Sequence, residues 1–131
     1  MSTTLENSST QTLSKPAFDF ASAVDRMGSR EAFHEIAELF LSIAPDFMAQ
    51  MRDAQIRGNC YDLERTAHVL KGSAAVLSAH DVVRTTELLE SMGRNHRLAG
   101  GETMIGELER ELSELISAIQ ESMGIYDNIS Q

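Results

Sequence analysis

The stretch His68-Val69-Leu70-Lys71-Gly72-Ser73-Ala74 carries the chain's most informative pattern. It lies inside an apolar period that reads as one helix, so His68, Lys71 and Gly72, at offsets of three and four, meet on one surface. A glycine in a helix interior costs roughly 0.5–1 kcal/mol relative to alanine. Its presence one turn from a histidine and next to a lysine implies that something must come close to the backbone there.

Around this segment the pattern predicts more helices. Asp19 suits the cap of a short one over about Phe20 to Met27, ended by Gly28, and Ser29 caps a longer one. In the latter Phe33, Ile36, Ala37, Phe40, Ala44, Phe47, Met48 and Met51 recur at helical spacing, with Pro45 predicting a kink or break near Ser42 to Ala44 and Gly58 the end. Asn59 caps the motif helix, expected to reach about Ala79. Asp81 is placed to cap a fourth helix with Val82, Thr85, Thr86, Leu89 and Met92 inward, and Gly93 to Gly101 reads as a loop. A last helix spans about Glu102 to Met123, with Ile105, Leu108, Leu112, Leu115, Ile116, Ile119 and Met123 as its stripe. The fold class is therefore all-α, an antiparallel up-down four-helix bundle with a short extra N-terminal helix. Residues 1–17 read as a disordered arm, 18–123 as the bundle and 124–131 as a tail.

Composition narrows the function. The 131 residues suffice for one core, and 20 acidic against 11 basic residues give a net charge of −9 with no basic cluster. Nucleic acid and anionic lipid are thereby disfavoured as partners. The single cysteine, Cys60, cannot form an internal disulfide; no signal peptide or membrane-length apolar run is seen, so a soluble cytoplasmic protein is expected. A monomer is expected separately, without a sequence feature that decides it.

With successive residues about 100° apart and Leu70 at the centre of the core face, Leu63, Thr66, Ala67, Ser73, Ala74 and Leu77 fall within about 60° of it. His68 points about 160° away. Glu64, Lys71, Gly72, Ala75 and Ala79 share that outer half. Solvated faces ordinarily carry long charged side chains. Here a low platform surrounds a protruding imidazole, a form suited to protein docking. The other histidines, His34, His80 and His96, lie in separate segments without metal-ligand spacing, so no metal site is expected. No nucleotide loop or acyl-transfer nucleophile pattern is visible. A histidine that accepts a phosphoryl group at a protein surface fits, with the Lys71 charge one turn away and Gly72 giving room to the donor.

The run Ala67-His68-Val69-Leu70-Lys71-Gly72-Ser73-Ala74 resembles the signature of the histidine-containing phosphotransfer domain, and also that of the phosphotransfer domain of chemotaxis kinases. Leu89-Glu90 stands where the family has a Leu-Glu or Leu-Gln pair, and the resemblance spans roughly Asp19 to Gln120. It implies phosphorylation of His68 on Nε2, with Glu90 hydrogen-bonding Nδ1. Arg94, one turn beyond, could pair with Glu90 or with a docked partner's acidic site. The expected catalytic set is thus His68, Lys71, Gly72 and Glu90, and the expected docking set is Glu64, Ala75, Ala79 and Arg94. The family usually has glycine at the end of the motif helix, where this chain has Ser78. The resemblance implies a phosphorelay intermediate without its own ATP site or cofactor. Its partners would be receiver domains of response regulators or hybrid histidine kinases, with Mg²⁺ on the receiver. A phosphotransfer-inactive interaction module, and a chemotaxis-type domain phosphorylated in trans by a kinase domain, are the alternatives.

Overall fold

A computed structural model describes residues 16–130, with side chains to Gly124. Among the described residues there are five helices and no strand: α1 (Phe20–Met27), α2 (Arg30–Arg57), α3 (Cys60–Val76), α4 (His80–Arg94) and α5 (Gly101–Ser130). The expected N-terminal arm lies outside the described residues over 1–15.

Three side-chain caps start α1, α2 and α3. The carboxylate of Asp19 accepts from the Ser22 amide at 3.0 Å, Ser29 Oγ from Ala32 at 3.0 Å, and Asn59 Oδ1 from Asp62 at 3.0 Å. Each satisfies a donor that the first helical turn leaves open. α1 and α2 end on Gly28 and Gly58, both in the left-handed region that glycine adopts without penalty.

Five features of the helices differ from the sequence expectation. Pro45 does not break α2, which runs unbroken for 28 residues. Pro45 is exposed, while Phe40, Ala44 and Met51 on either side of it are buried. The carbonyl left without a helical donor therefore lies on the outer side, and the core anchors both halves. The motif helix stops at Val76 rather than at Ala79, because Ser78 enters the left-handed region at φ 58° and the amide of Ala79 turns back onto the Ala74 carbonyl at 3.0 Å. Asp81 does not cap α4; it lies within the first turn, and the cap position belongs to Ala79, which has no side-chain acceptor. At the other end, Gly93 belongs to α4 and is buried, so the loop begins only after Arg94. The last helix also continues beyond Met123 to Ser130.

α2, α3, α4 and α5 close a ring in which α3 and α4 make the most extensive contact, and α1 lies against α2 and α3. The enclosed core contains Phe40, Met51, Leu63, Leu70, Leu77, Val82, Leu89, Ile105, Leu108, Leu115 and Ile119, all essentially inaccessible. Phe18 stacks on Phe33 with centroids 5.8 Å apart, and Phe20 meets Phe33 edge-on at 5.1 Å, fastening the N-terminal segment to α2. Among the described residues no helix is long and apolar enough to cross a membrane.

The α3–α4 contact depends on Gly93. A Cβ placed there would lie 2.6 Å from the Cys60 carbonyl oxygen and 2.8 Å from the Glu64 amide nitrogen, both backbone atoms that cannot step aside. Gly93→Ala is therefore expected to destabilise the fold by about 1–3 kcal/mol, the usual range for overpacking, read from denaturant midpoints at unchanged m-value. An unaltered midpoint would contradict the close crossing.

Candidate functional site

His68 is on the middle turns of α3 with its side chain 66% exposed. Its imidazole is nonetheless held: Nδ1 lies 2.8 Å from Glu90 Oε2, across the groove on α4. An ionised carboxylate can only accept, so Nδ1 carries the proton and donates, and the ring's lone pair is on Nε2. The partner is unusually placed for a glutamate, with its side chain only 8% exposed. A buried carboxylate is costly unless it is paired. Here Lys71 Nζ donates to Oε1 at 2.7 Å, and Arg94 Nη2 lies 3.3 Å from Oε2. The hydrogen bond from Lys71 is the largest influence and that from His68 a further one. Together they overcome burial and hold the Glu90 carboxyl below the ordinary glutamate range.

The structure thus gathers His68, Lys71, Glu90 and Arg94 into one connected group, with Glu64 accepting from Arg94 Nε at 3.3 Å. Lys71, expected to face an incoming phosphoryl group, instead lies against Glu90. Gly72 is exposed, and a Cβ there would meet nothing within 4 Å, so packing does not require the glycine. Ala75 is exposed beside it. Ala79 does not belong to this surface. It is fully buried, because the helix whose rotation placed it on the outer half has ended at Val76. Ser73, assigned to the core face, is only half-buried. The remaining histidines are elsewhere: His34 lies 3.5 Å from Glu38 on α2, His80 opens α4, and His96 sits in the loop.

Two residues next to His68 escaped the sequence reading. Tyr61 and Arg65 line a recess of about 320 Å³ together with Glu64, His68 and Glu90. The signal was present, since Tyr61 and Arg65 precede His68 by seven and three residues and fall on the same helical stripe. Gly93 also escaped notice, as a glycine near a helix end reads more readily as a loop.

Comparison with known proteins settles the family. A family model described as the Hpt domain matches residues 35–119. The chain belongs to the Hpt domain family. Hpt proteins act in histidine phosphotransfer within phosphorelays, as phosphocarriers. The fold is similar to the crystal structure of histidine-containing phosphotransfer protein B (HptB) from Pseudomonas aeruginosa PAO1. That likeness has 21% identity and a TM-score of 0.75, and covers 83% of this chain and 96% of that one. No curated protein sequence matches the chain.

The lowered Glu90 carboxyl has a consequence for stability. A group whose folded pKa is depressed adds stability above its unfolded pKa and loses it as pH falls through the folded value. Glu90→Gln is expected to be less stable than the native chain at pH 7. The gap should narrow as pH falls from the ordinary glutamate range, about 4.3, downward. Urea unfolding at stepped pH measures this; a gap independent of pH would mean that the charge of Glu90 contributes nothing.

Proposed function

We propose that this Hpt protein carries a phosphoryl group on Nε2 of His68 and exchanges it with the aspartate of receiver domains. The observation that carries the reading is the 2.8 Å hydrogen bond from an exposed imidazole to a buried, ion-paired carboxylate. It fixes the tautomer and leaves the nucleophilic nitrogen facing outward.

In the forward step the Nε2 lone pair attacks the phosphorus of the receiver's aspartyl phosphate. The N–P bond forms, the P–O bond to the aspartate breaks, and the carboxylate leaves with the electron pair. No proton has to move, because Nδ1 keeps its hydrogen throughout. Positive charge grows on the ring as the bond forms, and Glu90 lies where it offsets that charge. Lys71 acts one step further back by keeping Glu90 ionised despite burial, which makes it a positioning residue. The chain has no ATP site in this reading, and the acidic pocket with its Mg²⁺ belongs to the receiver. Glu64, Ala75 and Arg94 border the docking face, and Gly72 leaves the approach open.

His68→Gln should abolish acid-labile labelling by a phosphorylated receiver while the helical fold, read by circular dichroism, is kept. Label on His34, His80 or His96 would displace the assignment, and no label on the native chain would favour an interaction module without transfer. Gly72→Ala is expected to stabilise the fold by up to about 1 kcal/mol through helix propensity and a less flexible unfolded chain. Gly72→Gln should keep most of that gain while transfer from the receiver slows sharply. Undiminished transfer would mean that the receiver approaches from another side.

A further inference from the structure

The charges of the connected group at His68 balance before any phosphoryl group arrives. Lys71 and Arg94 are the cations of the connected group, and Glu90 and Glu64 are its carboxylates. Lys71 Nζ is within 2.7 Å of Glu90, and Arg94 is divided between Glu90 and Glu64 at 3.3 Å each. A phosphoryl group bound to a side chain brings about −1.5 to −2 charges. Two committed cations answer it poorly. Arg65 differs: among the described residues it makes no ion pair or side-chain hydrogen bond, it is exposed, and it lines the same recess as His68. Helical side chains lean toward the N-terminus, so the His68 ring lies over the turn that contains Arg65 rather than over the turn that contains Lys71 and Gly72.

We propose that Arg65 is the residue that binds the phosphoryl group on His68, its guanidinium reaching across the recess to the phosphoryl oxygens. This rests on the phosphocarrier reading above. The planar fork of an arginine matches a phosphoryl face with two parallel hydrogen bonds, which an ammonium cannot reproduce. Arg65 would then stabilise the loaded carrier, whereas Lys71 orders the empty one. Tyr61, 68% exposed and one turn before Arg65 on α3, lines the same recess.

The test uses the full chain and phosphoramidate, a small donor that needs no docking face: its P–N bond breaks, ammonia leaves, and phosphoryl passes to the imidazole. The native chain, Arg65→Gln, Arg65→Lys and a distant charge control, Arg84→Gln on α4, are compared. Labelling of Arg65→Gln should slow about tenfold, about 1.4 kcal/mol at the transition state, with Arg65→Lys partly restored and Arg84→Gln like the native chain. Phosphorus NMR supplies a readout that mere structural damage would not move. The second ionisation of the phosphohistidine should shift to higher pH in Arg65→Gln, since losing a nearby cation disfavours the dianion. Unchanged labelling and an unchanged phosphorus titration in Arg65→Gln would overturn the proposal. A defect seen only with a receiver as donor would also overturn it, placing Arg65 in docking. Failure of the native chain to label on His68 would instead sink the phosphocarrier reading itself, and this inference with it.

Discussion

The close crossing of α3 and α4 is the constraint on which the rest of the site depends. At Gly93 the backbone of α4 lies against that of α3 with no room for a methyl group. One turn earlier along α4, Glu90 is thereby brought within hydrogen-bond reach of both His68 and Lys71. Side chains of this length tolerate little extra separation before a 2.8 Å contact becomes a water-filled gap. The chemistry of the imidazole is thus set by a residue that never approaches it.

The second organising element is electrostatic. Glu90 is buried, and an unpaired carboxylate in that position would protonate rather than stay charged. Lys71 prevents this. The lysine three residues after the histidine is most simply read as a counter-charge for phosphate, because sequence alone shows its distance along the helix and not its neighbour on the next one. Once α4 is in place, the lysine bends toward the carboxylate, and the histidine gains a partner that remains anionic through the neutral range.

Much of this architecture was legible because it rests on local rules. The caps at Asp19, Ser29 and Asn59 and the terminators Gly28 and Gly58 act within three or four residues, and the structure has them where the sequence places them. The exposure of His68 followed from helical rotation alone. Failures came where a distant packing partner overrode a local preference. The core on both sides of Pro45 kept α2 whole, contact with α3 made Gly93 a helical residue, and a tight turn at Ser78 buried Ala79. The Glu90 contact was reachable only through family resemblance, since no spacing rule links residues on separate helices.

Ser78 holds a left-handed conformation that a serine adopts less readily than a glycine. Two contacts from the N-terminal region accompany it: Arg26 Nη2 donates to its hydroxyl at 3.1 Å, and the Asp19 amide donates to its carbonyl at 3.3 Å. α1 therefore acts as a tether on the hairpin whose two arms carry the histidine and its glutamate. It does so from outside residues 35–119, the stretch that the Hpt family model matches. The eight residues of α1 and their cap are thus part of the frame around the α3–α4 hairpin, joined to its turn by a side-chain and a backbone hydrogen bond.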